Sequence, residues 1–258
     1  MKINTFFTFL LCLIFGLTLS ACSKKSEESA SDSAVVADAT APANHDMANA
    51  TVAANEKLGT QWGDDVTSNV SSVDLERLSD EPVAQNVVRY ANKKYQGKAV
   101  NNLSLASGMI SFAVVDDQDR SLPLVRDAQQ YFLTAKEGQS YKLLYENHSN
   151  KTFEIVASVD GLDVLTGKAG SKRASGYVLH PHQRLEIEGF RKSDSAVASF
   201  TFGKPDTAYA ANSQHGSIDN TGIIGTVVYE LEDIEPIAVD AAKDDRYAPT
   251  PDAFPADK

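Results

Sequence analysis

The sequence predicts an all-β domain, an antiparallel immunoglobulin-like β-sandwich with one short N-terminal helix, flanked by a disordered tether and tail. Three observations point there. From Met109 onward, apolar residues alternate with a period of two, as in Ile110, Phe112 and Val114 or Tyr141, Leu143 and Tyr145. Turn residues recur between these runs at the spacing of short strands. The third is the segment 153–165, which carries Asp160-Gly161, a pair suited to the two positive-φ positions of a type I′ hairpin turn. A turn centred there sets Val159 opposite Leu162, Ser158 opposite Asp163 and Ala157 opposite Val164. One face of the hairpin is then Ile155, Ala157, Val159, Leu162 and Val164. The other opens on the polar pair Ser158 and Asp163, where Thr in place of Asp163 is expected to be tolerated.

Taken in order, the chain begins with Lys2 and an apolar run over 6–19 that reads as a signal peptide covering 1–21, too short and too polar on its far side for a membrane span. The run ends in Leu19-Ser20-Ala21-Cys22, which resembles the lipobox of bacterial lipoproteins, where cleavage before the Cys leaves it acylated. Cys12 leaves with the signal, so the mature chain is expected to keep a single thiol, Cys22, consumed by lipid, and to form no disulfide. Ser23, where Asp would retain such a protein at the inner membrane, implies the outer membrane as destination. At ~0.8 kcal/mol per buried CH₂, three acyl chains make the anchor durable.

Residues 22–73 are rich in Ser, Ala, Asp, Asn and Thr, with Trp62 as their only aromatic residue, and are expected to form a disordered tether. In 74–108, Asp80, Pro82, the stripe Val83, Val87, Val88, Ala91 and Tyr95, then Lys93, Lys94 and Gly97 predict the short helix. The sandwich is expected over 109–231, with strands at 110–114, 122–126, 131–135, 141–145, along the central hairpin, at 176–180, 185–187, 198–202 and 223–231. The acidic, proline-containing segment 232–258 reads as a disordered tail.

The strings Ser158-Val159-Asp160-Gly161, Gly176-Tyr177-Val178-Leu179, Gly189-Phe190-Arg191-Lys192-Ser193, Phe200-Thr201-Phe202, Tyr209-Ala210 and Gly222-Ile223-Ile224-Gly225 carry a resemblance. Residues 109–231 resemble a family of uncharacterised Gram-negative lipoproteins, whose pattern favours Trp where this chain has Phe190. The resemblance implies an envelope compartment and a β-rich fold, and implies nothing about chemistry.

No zinc-protease helix, nucleophile elbow or paired-Cys motif is present, and Gly161, Gly167 and Lys168 miss the spacing of a phosphate-binding loop. His180 and His182 stand two apart, as paired metal ligands on an extended chain do, with His215, Asp160 or Asp219 as third-ligand candidates. Pro181 makes a plain surface turn an equal reading of the same residues.

Counting strands from Tyr141 puts the connections 147–151, 167–175 and 190–195 at one end of the sandwich, and the 160–161 turn, 180–183 and 203–221 at the other. The first end then holds Lys151, Lys168, Lys172, Arg173, Arg191 and Lys192 against Asp194 alone. The chain carries −11, so that end is expected to be locally basic on an acidic protein. Lys168, Lys172, Arg173, Arg191 and Lys192 are the candidate anion-binding set. The long connection 203–221 is expected to be functional or simply mobile, and removable without loss of the fold.

The expected function is a non-catalytic lipoprotein of the cell outer membrane, facing periplasm or surface. It is expected to present its sandwich as a structural module or to bind another envelope protein or an anionic envelope polymer, with no cofactor and no nucleic acid. The alternative is a metal-assisted periplasmic enzyme built on His180 and His182.

Overall fold

A computed structural model describes residues 45–232; the signal peptide, Cys22 and the tail from 233 onward lie outside the described residues. After α1 (His45–Ala50) come β1 (Gly59–Thr67), β2 (Ala84–Ala91), β3 (Lys98–Val100), β4 (Leu103–Leu105), β5 (Ile110–Val115), β6 (Leu124–Asp127) and β7 (Gln130–Thr134). There follow β8 (Ser140–Asn147), β9 (Phe153–Val159), β10 (Leu162–Asp163), β11 (Tyr177–Leu179), β12 (Arg184–Ile187), β13 (Gly189–Ser193) and β14 (Ala196–Gly203). A short α2 (Tyr209–Asn212) precedes β15 (Ile223–Glu230).

The strands form two sheets, as an all-β sandwich requires. One runs β1-β14-β8-β5-β4, with β12 also on β8 and β13 also on β14. The other runs β10-β9-β15-β2-β7-β6-β3, with β11 also on β9. The pairings are antiparallel except β2 with β7, which is parallel, so the second sheet is mixed. Inward-facing residues of both sheets make the core. Tyr141 lies between Phe200 and Phe202, with ring centroids at 5.2 and 4.1 Å, and Phe112 stacks on Tyr145 at 4.8 Å.

The central hairpin stands where its turn chemistry puts it. Val159 pairs with Leu162 and Ser158 with Asp163, and Asp160 and Gly161 have φ of 53° and 77°. Its second face is not a solvent face, however. Asp163 is 2% exposed, and its carboxylate accepts from the amide and hydroxyl of Thr166, both at 2.7 Å. The expectation that Thr would serve there is corrected, because the carboxylate caps the turn that follows β10.

Asp160 is also more than a turn residue. It is 1% exposed and accepts at Oδ2 from the Thr60 amide (2.6 Å) and at Oδ1 from the Tyr90 hydroxyl (2.7 Å) and the Gly222 amide (2.9 Å). Thr60 Oγ1 lies 2.8 Å from the Tyr90 hydroxyl and 2.6 Å from that of Tyr141. Each hydroxyl has one proton, so with Asp160 ionised the chain of donation runs Tyr141 to Thr60 to Tyr90 to Asp160. The network ties β1, β2, β8, the hairpin turn and the start of β15 together.

Several sequence expectations are corrected. The predicted helix within 80–97 is strand β2, with Val88 and Tyr90 inward and Gln85, Val87 and Arg89 outward. Its β-branched pair Val87-Val88 suits a strand, and β15 and β7 complete the ladder on both sides. The short helix is α1 instead. The expected tether 22–73 contributes β1, an edge strand along the whole length of β14, so the domain is larger than 109–231. The lead-in 74–108 likewise supplies β2, β3 and β4. The 203–221 connection holds two single-turn helices as well as α2, and buries Ala208 and Ala210.

The assignment of loops to ends also changes. β10 and β11 both run antiparallel to β9, so the chain crosses back between them and the strand count shifts by one. As a result 180–183 lies against 147–151, where the Asn147 amide donates to the Gln183 carbonyl at 2.9 Å and its Nδ2 to the His180 carbonyl at 3.0 Å. Residues 189–193 are strand β13 rather than part of a loop.

Candidate functional site

The second sheet turns one face to the core, and among the described residues no sheet covers the other, so strand alternation decides what that outer face displays. Across β9, β15 and β2 the register gives one row of Val156, Val227 and Gln85, and a second of Ser158, Gly225 and Val87. Ile223 and Arg89 form a third, which continues to Phe132 on β7. Gly225 keeps the middle of this floor low, since a Cβ there would stand 2.6 Å from Ser158 Oγ.

Two segments cross the face and act as walls. On one side, 170–174 is fastened by the Tyr229 hydroxyl donating to the Lys172 carbonyl (2.9 Å) and by Arg77 donating to the Ala174 carbonyl (2.6 Å). Arg77 also pairs with Glu154 at 2.5 Å and lies 3.8 Å above the Tyr229 ring, while Glu154 accepts the Gly176 amide at 2.6 Å. On the other side, Val52 and Val125 pack against Ala91, Tyr95 and Phe132, and α1 is fastened nearby: Asn49 donates to Asp127 and to the Gln96 carbonyl, and Lys93 to the carbonyls of Ala48 and Thr51.

Between the walls lies a groove. Its larger cavity is about 520 Å³, floored by Val87, Val156 and Val227 and edged by Gln85, Gln130, Ser171 and Lys172. A second, about 290 Å³, is bounded by Asn49, Lys57, Tyr95 and Thr221. Arg89 and Ile223 line both, so the two are neighbouring parts of one depression. The larger volume falls within the range of small-ligand sites and the smaller at its lower edge.

Among the described residues that line the groove, the cations Arg89, Lys172 and Lys57 outnumber the acids. Asp163 is the acid that lines it, and its Oδ1 is taken by Thr166. Arg89 is exposed, and among the described residues its guanidinium makes no hydrogen bond or ion pair. Lys172 Nζ donates to Gln85 Oε1 at 2.7 Å, holding one cation over the floor. Burial pushes the Tyr95 hydroxyl up to about 12, with Glu56 adding to the rise and Arg89 opposing it, so it stays protonated at neutral pH.

The candidate residues read from the sequence fare unevenly. Of the anion-binding set, Lys172 lines the groove, while Lys168 and Arg173 are exposed on the same connection. Arg191 instead donates to the Ser68 carbonyl and, at 3.2 Å, to its hydroxyl, and faces the Tyr177 ring. Lys192 pairs with Asp65 at 2.6 Å beside Trp62. Lys151 pairs with Glu230 at 2.7 Å. With the Lys172 bond to Gln85, ion pairs and hydrogen bonds thus occupy four of the six cations that were expected to make one basic end, and three of these are held away from the groove.

His182, at φ 57°, donates through Nε2 to Asn150 Oδ1 at 2.6 Å, and His180 is exposed. Asp160, one of the three candidate third ligands, is in the core. Among the described residues no group of three His, Cys, Asp or Glu side chains is arranged to hold a metal. Cys22 lies outside the described residues.

Sequence reasoning missed Gln85, Val87 and Arg89 because it placed them on a helix. The signal that would have found them is the alternation of 84–91, apolar inward at Val88 and Tyr90 and mostly polar outward. Searches against protein-family models, curated proteins and solved structures found no match for the chain.

Proposed function

We propose that this protein is a non-catalytic binding module of the bacterial envelope, anchored to the outer membrane by lipid on Cys22, that holds its ligand in the outer-face groove of the second sheet. The groove carries this reading. It is concave, its floor is rigid paired strand, and its walls are fastened by hydrogen bonds, which is how a binding surface is kept pre-organised. Among the described residues neither wall brings a nucleophile together with a base: the one carboxylate in the lining, Asp163, accepts at Oδ1 from Thr166, and the other polar groups are amides, hydroxyls and cations suited to recognition. The lipid anchor rests on Leu19-Ser20-Ala21-Cys22 and the outer-membrane destination on Ser23.

Two measurements test the reading. Mass analysis of the amino terminus is expected to find acylated Cys22, and Cys22→Ser is expected to release the protein or leave it unprocessed. Retention of the lipid-free protein on purified cell-wall polymer and on lipopolysaccharide is expected to fall when Val87→Trp fills the floor, with the melting temperature unchanged. Retention that is the same in both proteins would overturn the groove as the binding site.

A further inference from the structure

The proposal that the groove is a binding site leaves its ligand class open, and the charge and shape of the groove narrow it. We infer that the ligand is a short, extended peptide bearing carboxylates, with one carboxylate clamped by Arg89 where the two cavities meet. This rests on the binding-module reading and adds the chemistry of what is bound.

Arg89 is the cation at the centre. It sits on the floor between the two cavities, is exposed, and has its fork of donors uncommitted among the described residues. A planar guanidinium presents two parallel N–H groups to a carboxylate, a match an ammonium lacks. Lys172 lies in the larger cavity and Lys57 at the smaller, so a ligand lying along the groove meets a cation in each part. On a chain of net charge −11 a cleft with three cations against the single acid Asp163 is a local reversal, and it selects an anionic ligand.

The rest of the lining separates the anionic classes. Among the described residues no aromatic ring lines the larger cavity, so stacked bases find no platform there. Its polar side chains include Gln85 and Gln130, which both donate and accept and so match the alternating N–H and C=O groups of a peptide backbone. A polyphosphate or similar polymer offers acceptors only and would leave the Gln130 amide oxygen unmatched, that of Gln85 being taken by Lys172. Val87, Val156 and Val227 give the apolar patches on which intervening side chains of an extended peptide rest.

The test is fluorescence anisotropy on the lipid-free full chain, using fluorescein-labelled tetraglutamate, labelled tetraglutamine, and unlabelled tripolyphosphate as competitor. Tetraglutamate is expected to bind and tetraglutamine to bind at least about tenfold more weakly, as expected when charge-assisted bonds are lost. Arg89→Gln is expected to weaken tetraglutamate binding about tenfold or more, and Lys204→Gln, an exposed cation outside the groove, less than about twofold. Binding is expected to weaken as salt rises from about 50 mM to about 500 mM. Equal binding of the two peptides, or an Arg89→Gln variant that binds like wild type, would overturn the carboxylate inference. So would displacement by tripolyphosphate at lower concentration than by unlabelled tetraglutamate. If any of these occurs while Val87→Trp still abolishes retention on envelope polymer, the groove stands as the site and only its ligand class is wrong.

Discussion

Replacing Asp160 with Asn removes one buried charge and keeps the turn, since Asn tolerates the φ of 53° that Asp160 adopts. Burial pushes the Asp160 carboxyl up to about 6, against the four donors aimed at it. The sign follows from where protons bind. A carboxyl whose pKa is higher in the folded than in the unfolded chain gives a stability contribution that is fully present below the unfolded value of 3.8 and is lost as pH rises through about 6. Across the whole titration that is about 3 kcal/mol, and between pH 4 and pH 7 roughly 2 kcal/mol. Other groups run the opposite way: Arg120 holds Asp116 below its ordinary range, and Lys142 does the same for Asp119. Subtracting the variant from wild type cancels them. In Asp160→Asn the amide oxygen keeps Tyr90 and Gly222, but its NH₂ faces the Thr60 N–H, a buried mismatch of about 1–3 kcal/mol. Near pH 7 relief of the buried charge offsets that mismatch, and wild type and variant are expected to be of similar stability. Near pH 4 the variant is expected to be less stable by about 2 kcal/mol. Urea unfolding followed by the fluorescence of Trp62, the single tryptophan, at pH values from 4 to 7 reads the difference directly. A difference that stays constant across that range would refute the buried-charge argument.

Three further outcomes are expected. Gly161→Val should lower stability by at least about 2 kcal/mol in the same urea assay, because φ is 77° and a Cβ would approach Asn220 Nδ2 to 2.9 Å. Ser107, exposed and held at φ 56° beside Ala106 at 48°, is strained as a non-glycine residue, and Ser107→Gly should raise stability by up to about 1 kcal/mol. Deleting 206–218 with a short Gly-Ser splice should lower the melting temperature substantially, because it removes buried Ala208 and Ala210 and the Tyr209 ring that packs on Phe190 at 4.9 Å; an unchanged melting temperature would show the segment to be dispensable.

How much was legible in the sequence depended on whether the local signal was redundant. In the central hairpin, Asp160-Gly161 and the alternation on both sides say the same thing, and the register came out as expected. At β2 two periods fit at once. Val83, Val87, Val88, Ala91 and Tyr95 make a helical stripe, and Pro82, Lys93, Lys94 and Gly97 sit where caps would, yet Val88 and Tyr90 also alternate with Gln85, Val87 and Arg89. The strand won because β15 and β7 supply ladder bonds on both sides and the core takes Tyr90, contacts no local window contains. For β1 there was hardly a local signal at all, since Gly59-Thr60-Gln61-Trp62-Gly63-Asp64-Asp65-Val66-Thr67 mixes glycine and adjacent acids. Its place is fixed by pairing with β14 and by the Thr60 amide bonding to Asp160, one hundred residues away.

These errors were coupled, and the coupling bears on where the site is. Treating 59–70 as tether left Arg191 and Lys192 as free cations at one pole, when Asp65 and Ser68 on that segment engage both. Treating 80–97 as a helix hid Arg89, because cations were counted on loops and the outward residues of a strand were not counted at all. Restoring both strands moves positive charge from the loops to the sheet. Two cations of the expected patch are withdrawn, Lys172 is kept, and Arg89 is placed on the floor beside it. The anion preference expected of loops at one pole is proposed instead for a groove whose floor is paired strand and whose walls are pinned. In such a groove the side chains that meet a ligand have their backbones already fixed, so fewer degrees of freedom are lost on binding. A few charge-assisted bonds in such a groove would hold a ligand more tightly than the same cations spread over exposed loops and screened by salt.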